Sequence, residues 1–444
     1  MLEFINEKIV SVLAAIMLLS IGVFFTVRLN FFYLRHPIKI MKSMLTRESG
    51  NGNSPFRAVS LALAGTLGVG NIAGVASSIA IGGYGSVFWM WVSALVAMVL
   101  KYAEIVLAIN HRRADRKSGE LYGGAPYYIK DMLAAKGKVL TGKLLSGLFS
   151  LLCIVNSVTM GCMIQANAVS TAFEGTFDLE PWIVGVIVAV LCCFVIMGNA
   201  KWVSGFCEKS VPIMTLGYII ISLAVIFARR DSVGYAFSLI FKDAFAFDSA
   251  AGGVVGFLIS TKLRAGVMRG LMSNEAGCGT APTAHASSNV KSAAKQGFFG
   301  IFEVFVDTIL LCTLTAIVII LAGDSVLLYS ENPMMMTVKA YSSVLGAWSE
   351  YYMCISVFLF AFATMVCWAH YGKESLRYIS KKRAWATVYI VIFCIFIFVG
   401  AITAPSQAWL LGDLAIGIMT IINLPVLCAM FGEVKKETDR FLKE

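Results

Sequence analysis

Runs of about twenty apolar residues, separated by short polar stretches, recur along the whole chain. A helix of that length spans the hydrocarbon of a bilayer, so the runs predict membrane helices near 8–30, 57–82, 84–110, 144–174, 182–199, 211–229, 253–290, 297–323, 352–378, 385–404 and 408–430, about eleven in all. The first run has no basic n-region and no A-x-A-like cleavage site, and reads as a first membrane helix rather than a removable signal.

Two of these spans break their own pattern. Gly65-Thr66-Leu67-Gly68-Val69-Gly70-Asn71-Ile72-Ala73-Gly74 places glycines and small polar residues where a membrane helix is normally most regular. Far downstream, Ser273-Asn274-Glu275-Ala276-Gly277-Cys278-Gly279-Thr280-Ala281-Pro282 does the same. Glycines weaken the helical ladder and let another backbone or a small ligand approach. In hydrocarbon such freed backbone survives only where it is buried in protein or lines a cavity. Close helix packing alone would explain small residues at the four-residue spacing of Gly70 and Gly74. It does not call for Asn71 and Glu275 beside them. Two interrupted spans, one in each half of a polytopic chain, point to the midplane site of a secondary transporter.

Composition narrows the class. With 58% apolar and 14% charged residues, the chain is not a soluble globular protein. Its net charge of +10 raises the question of nucleic acid, but the basic residues cluster between apolar spans rather than on one amphipathic face. No nucleic-acid partner is therefore expected. Arg28, Arg35, Lys39, Lys42, Arg47 and Arg57 follow the first span, and Arg112, Arg113, Arg116, Lys117, Lys130, Lys136, Lys138 and Lys143 follow the third. Lys373, Arg377, Lys381, Lys382 and Arg383 form another such loop, whereas the stretches around 174–180 and 324–350 are poor in Lys and Arg. The positive-inside rule then places the N-terminus outside and the C-terminus in the cytoplasm. The cysteines, such as Cys192, Cys193, Cys312 and Cys394, lie mostly in apolar spans with no metal-binding spacing, and read as reduced core residues.

Setting the first helix aside leaves two blocks of five spans, each opening with a broken one. An odd number per block forces opposite orientations, so the expected fold is an all-α polytopic membrane protein of two inverted five-helix repeats with discontinuous helices, preceded by one extra N-terminal helix. The expected organisation is 1–56 for that helix and a basic loop, 57–230 for the first repeat, 231–252 for an extracellular interfacial segment, 253–432 for the second repeat and 433–444 for a cytoplasmic tail. The aromatic, partly polar stretch from Val233 to Phe247 suits an interfacial helix.

At a helix break, one half presents unpaired N–H groups and the other unpaired carbonyls, so one motif can hold both an anion and a cation. The amides of Gly68, Val69 and Gly70 suit a substrate carboxylate, and the carbonyls from Ala64 to Leu67 with the Asn71 side-chain oxygen suit sodium. Around the second break, Asn274 and Gly277 offer backbone groups, while Glu275 is either a partner for a substrate ammonium or coupling ion, or a helix cap paired to a neighbour. Asp307, inside a continuous apolar span, is a sodium ligand, a proton site or a buried structural pair. Gln165 could hydrogen-bond a small polar solute or join two helices. Thr364 and Trp368, one turn apart, could share a face as hydroxyl ligand and indole wall. Lys101 and Glu104 are spaced to pair with each other, and His285 could cap or pack.

The two glycine stretches, with Ala281-Pro282, His285-Ala286, Gln165-Ala166-Asn167, Phe360-Ala361-Phe362-Ala363-Thr364, Trp368 and Tyr371-Gly372, resemble signatures of the alanine/glycine:cation symporter family over nearly the whole chain. The resemblance implies a leucine-transporter-like fold and sodium-coupled uptake of alanine, glycine or similar small neutral amino acids, with no enzymatic chemistry. The first break also looks like the unwound first core helix of the neurotransmitter:sodium symporters. By that likeness Thr66 and Asn71 belong to one sodium site, Thr364 with Ala64 and Leu67 to a second, and Gly68 to Gly70 to the substrate carboxylate. Within the family, Gln165 and Trp368 match positions that enclose the substrate, Trp368 limiting side-chain size. Cys278 and Cys367 depart from the pattern, where Leu and Gly respectively are usual. Proton coupling through Glu275 or Asp307 and a non-transporting amino-acid sensor are the rival readings. A channel lacks its filter loops here, and a membrane metalloenzyme its H-E-x-x-H.

Overall fold

The computed structural model describes residues 2–45, 54–115, 119–198, 200–246 and 260–443. Arg47, Arg116, Lys117, the start of the seventh predicted span at 253–259 and the 247–252 end of the interfacial segment lie outside them. Except for the short antiparallel pair Arg113–Ala114 (β1) and Leu121–Tyr122 (β2), the described regular structure is helical.

Apolar helices long enough to cross a bilayer are Leu2–Arg28 (α1), Ser86–Asn110 (α5), Val139–Phe177 (α7), Trp202–Ala228 within Ala200–Ala228 (α9), Ala293–Ala322 (α13), Trp348–Ile379 (α15), Arg383–Ile402 (α16) and Trp409–Ala429 within Pro405–Ala429 (α17). Pro55–Thr66 (α3) and the following helix, Ala73–Gly82 (α4), make one further span bent by 55°. These are eight straight spans and a ninth, broken one, among the described residues, against the eleven expected. Pro181–Ile196 (α8) is apolar but short, and Thr261–Asn274 (α11) is the described first half of the second broken span. Outside these lie the amphipathic Pro37–Leu45 (α2), Ala125–Ala135 (α6), Val233–Ala244 (α10), the one-turn Pro282–His285 (α12), Pro333–Leu345 (α14) and Phe431–Lys443 (α18).

The helix ends follow local chemistry. Pro55 opens α3 behind Ser54, whose hydroxyl accepts from the Arg57 amide. Ser260, Ser292 and Asn332 cap α11, α13 and α14 in the same way. The packing is that of two related blocks: α5 lies on α13, α7 on α15, α8 on α16, and α4 on α11. Four elements of the first block thus meet elements at the corresponding places in the second. The helix α10 lies over the turn between α4 and α5, where Asp243 accepts from the Gly85 amide at 2.7 Å and pairs with Lys262.

Besides Asn6–Val10 near the start of α1, two spans carry wide π-helical turns, Thr159–Met163 in α7 and Phe305–Cys312 in α13. Such turns add a residue to the ladder and re-aim side chains, and they concentrate at functional sites. Here the turns in α7 and α13 flank the two breaks.

Candidate functional site

The first break forms because α3 ends at Thr66 and α4 begins at Ala73, with a single 3₁₀ turn, Val69–Asn71, between them. Neighbouring helices satisfy the freed backbone. Gln165 Oε1 accepts from the Val69 amide at 3.1 Å, and the Thr364 hydroxyl donates to the Ala64 carbonyl at 2.9 Å. The hydroxyls of Thr315 and Thr337 donate to the carbonyls of Asn71 and Ile72. Gly68 is where the backbone passes closest to its neighbours: a Cβ there would lie 2.6 Å from Thr364 Oγ1 and 3.0 Å from Gln165 Oε1.

The second break is fixed differently. Glu275 closes α11 in the left-handed conformation (φ 54°), and Gly277 and Gly279 follow with φ of 88° and 81°. The Thr280 hydroxyl donates to Glu275 Oε2 at 2.6 Å. Lys101 Nζ donates to the Asn274 carbonyl at 2.6 Å and to Glu303 Oε1 at 2.8 Å. Glu104 Oε1 accepts from the Gly279 amide at 2.9 Å and from Asn423 Nδ2 at 2.6 Å. The expected pairing of Lys101 with Glu104 is therefore corrected. Both are completely buried, and each faces a different element of the second break, because tertiary partners outcompete a neighbour on the same helix.

Asp307, on the π turn of α13, joins the two breaks. Its Oδ1 accepts from Asn71 Nδ2 at 2.7 Å and from Ser273 Oγ at 3.1 Å, and its Oδ2 from Thr308 Oγ1 at 2.7 Å. With its amide turned to Asp307, Asn71 leaves its Oδ1 buried and without a partner. A buried acceptor oxygen beside a carboxylate is a donor set suited to a hard cation. Thr364 and the Ala64 carbonyl form a second cluster of oxygens on the other side of the break, with Thr66, whose hydroxyl reaches back to its own helix, and the buried Leu67 nearby in the chain.

Between the breaks lies a closed cavity of about 10 Å³, the space of about one water. Its lining includes Thr66, Gly68, Gly70, Gln165, Glu275 and Trp368, together with Met160 and Met272, which sequence reasoning did not nominate. Asn274 and Gly277, expected to bind substrate, lie outside that lining. The Asn274 side chain donates to Thr308 Oγ1 at 3.1 Å and accepts from the Ala276 amide, and the Gly277 carbonyl accepts from Asn423. The Val69 amide is likewise already engaged by Gln165. Trp368 is packed hard on Gly161, where a Cβ would meet it at 2.3 Å.

A vestibule of about 750 Å³ opens on the side that carries Lys373, Arg377, Lys382 and Arg383, and reaches inward to Leu61 and Val366. One thin layer separates it from the small cavity. Cys367 Sγ donates to the Leu61 carbonyl at 3.0 Å, and both Cys367 Sγ and the Tyr371 hydroxyl stand 3.0 Å from where a Gly65 Cβ would be. Cys367 thus sits in the partition rather than in the cavity wall. Cys278 lies beneath the second break, donating to the Glu275 carbonyl at 3.0 Å.

The whole chain, residues 1–444, matches the sodium:alanine symporter family. It is 33% identical to the amino-acid carrier protein AlsT of Bacillus subtilis over 96% of this chain and 89% of that protein. It is equally 33% identical to the sodium/alanine symporter AgcS of Methanococcus maripaludis, over 96% of this chain and 93% of that one. In fold it is similar to MhsT in complex with L-phenylalanine, with a TM-score of 0.59 at 12% identity over 88% of this chain and 93% of that one. A sodium-coupled sialic acid symporter superposes with a TM-score of 0.57 at 14% identity, over 95% of this chain and 86% of that one.

Proposed function

Because the chain belongs to the sodium:alanine symporter family, we propose that it takes up small neutral amino acids, alanine and glycine foremost, together with sodium by alternating access. The observation that carries this reading is the Asn71–Asp307 pair at the junction of the two breaks, in which the amide nitrogen donates to the carboxylate and the amide oxygen is buried without a partner. A sodium ion there would be held by Asn71 and Asp307, and a second by the Ala64 carbonyl, Thr364 and the backbone towards Leu67. The amino acid would lie against Gly68–Gly70 with Gln165 and Trp368 enclosing it, and Glu275 is the carboxylate available to its ammonium.

The cavity as it stands has room for about one water, so admitting an amino acid requires the elements around it to part. Opening of the Leu61–Cys367 partition would release it into the vestibule, whose basic wall supports a cytoplasmic facing under the positive-inside rule. One sodium moving inward down about 100 mV supplies roughly 2.3 kcal/mol. At 1.4 kcal/mol per tenfold, that sustains about 40-fold accumulation of a zwitterion before any sodium gradient is counted.

The test is uptake of labelled alanine and glycine into liposomes holding the purified protein, with an inward sodium gradient imposed or replaced by potassium. Concentrative uptake only with sodium is the expected result. Uptake that instead follows an imposed proton gradient with sodium absent would move the coupling role to protonation of Glu275 and Asp307, and binding without counterflow would make the protein a sensor.

A further inference from the structure

Asp307 and Glu303 stand one helical turn apart on α13, both completely buried, and each collects hydrogen-bond donors. Asp307 takes Asn71, Ser273 and Thr308, and the Thr308 oxygen in turn accepts from Asn274 Nδ2. Glu303 takes Lys101 on Oε1 and His285 Nε2, at 3.1 Å, on Oε2. The imidazole has one orientation of its proton. Ser288 Oγ donates to Gln296 Oε1 at 2.9 Å, which turns Gln296 Nε2 towards His285 Nδ1 at 2.8 Å, so Nδ1 accepts and Nε2 carries the hydrogen.

The two clusters meet at one residue. Asn274, the last residue of α11, sends its side-chain amide to the Asp307 cluster and its carbonyl, 2.6 Å from Lys101 Nζ, to the Glu303 cluster. At its far end the Glu303 cluster reaches the vestibule wall. The carbonyls of Ser288 and Val290 accept from the two terminal nitrogens of Arg112 at 2.7 and 2.9 Å, and Thr283 and Ser287 of the same segment line the vestibule.

We infer that Asn274 is a positioning joint through which cation occupancy at Asp307 sets the position of the 283–290 segment at the vestibule wall, with Lys101 as the charge that transmits it. The inference rests on the reading of Asp307 as an ion site. A cation there competes with the Thr308 hydroxyl and the Asn71 amide for the carboxylate oxygens. When Thr308 turns, the Asn274 amide follows it, and the Asn274 carbonyl moves with the chain. Lys101 cannot follow that carbonyl and leave Glu303 behind, because an uncompensated charge in this buried site is strongly unfavourable. Lys101, Glu303 and His285 therefore shift together, as a unit with discrete arrangements rather than a continuous range.

The experiment places a reporter at the vestibule wall with Ser287→Cys in the full-length protein in liposomes. The modification rate of the introduced thiol by a membrane-impermeant reagent is followed as sodium is titrated, and thermal unfolding under the same titration reports sodium binding separately. In the reporter protein the rate is expected to change at least fivefold with sodium. Adding His285→Leu, which removes the uncharged link between Glu303 and the 283–290 segment far from Asp307, should reduce that change to below 1.5-fold while the sodium-dependent thermal shift persists. Lys101→Met with Glu303→Leu, which removes both charges together, serves as the second cut and carries the same expectation should the first variant fold poorly. A full sodium response at the thiol in either folded variant overturns the joint. Should neither variant fold, the reporter protein alone decides: an insensitive thiol beside a sodium-dependent thermal shift overturns the joint, and a fivefold response supports it. No thermal shift and no response in the reporter protein would mean instead that the ion reading of Asp307 has failed.

Discussion

The first and second breaks line the same cavity but are held open by different forces. At the first, neutral groups satisfy the freed backbone: an amide oxygen from Gln165 and hydroxyls from Thr364, Thr315 and Thr337. At the second, charges do it, with Lys101 on the Asn274 carbonyl and Glu104 on the Gly279 amide. Neutral hydrogen bonds contribute about 0.5–1.5 kcal/mol each, whereas those to charged groups contribute about 1.5–3 kcal/mol. The first break is therefore the half suited to exchanging partners with an ion and a zwitterion, and the second the half suited to keeping its partners and shifting only as a unit. Asp307, which takes bonds from Asn71 on one side and Ser273 on the other, is where the two halves are compared.

The largest effect should come from removing that shared carboxylate. Asp307→Asn is expected to lower sodium-driven alanine uptake about 100-fold, equivalent to about 2.7 kcal/mol, with membrane abundance falling less than twofold. An unchanged sodium midpoint in the uptake assay would take Asp307 out of the ion site.

Next in size is crowding of the first break. Gly68→Ala puts a methyl 2.6 Å from Thr364 Oγ1, and overpacking of about 1–3 kcal/mol at a site where chain and ligand compete should reduce transport by about 30-fold. Gly74→Ala is the matched control, since a Cβ there meets nothing within 4 Å. Equal transport by the two variants would end the distinction between a crowded break and the helix beyond it.

A smaller change is expected at the wall both breaks share. Trp368→Ala should let a larger neutral amino acid such as leucine compete about tenfold better against alanine, the discrimination that a few methylenes command in an apolar pocket. An unaltered competition profile would leave Trp368 a packing residue against Gly161.

The smallest effect lies at the periphery of the charged half, where His111 bridges Asp131 at 2.8 Å and Glu433 at 3.2 Å and so ties α18 to the end of α5. Burial alone would lower this imidazole, but hydrogen bonds to Glu433 and Asp131 outweigh it and hold it above its ordinary value. A raised value means that the protonated bridge stabilises the fold fully below the ordinary histidine range near 6.5 and loses that contribution as pH rises through the raised value. Hydrogen exchange in residues 431–443, corrected for intrinsic rates, should therefore quicken about two- to threefold between pH 6 and pH 8.5. His111→Gln should abolish the dependence, and a pH dependence that survives that change would assign it elsewhere.

Much of this was legible along the chain. The glycine stretches located both breaks, and the apolar runs located most of the straight spans to within a few residues, although α9 begins at Ala200 rather than near 211. Hydrocarbon demands continuous helices and tolerates interruption only around a cavity. Other elements left weaker traces. The short, moderately apolar α14 lies in the stretch around 324–350 that the apolar runs leave out, and α18 lies in the expected tail although Thr438 and Phe441 repeat at helical spacing and face Tyr102 and Phe298. Met160 and Met272 gave no sign of lining the cavity, since a methionine in an apolar run looks like every other core residue.

By itself the sequence determined that the chain crosses a membrane repeatedly, that two of its helices are interrupted in corresponding places, and that Asn71, Glu275 and Asp307 are polar groups at membrane depth. Those properties follow from local composition, which the solvent reads one segment at a time. Only the tertiary structure decided the partners: that Asp307 joins both breaks, that Asn71 keeps a free oxygen, that Lys101 turns to Glu303 rather than to Glu104 three residues away, and that Asn274 bonds to Thr308 and Lys101 instead of lining the cavity. A buried polar group bonds to whatever the fold brings within about 3 Å, and for residues hundreds of positions apart no spacing along the chain encodes that distance.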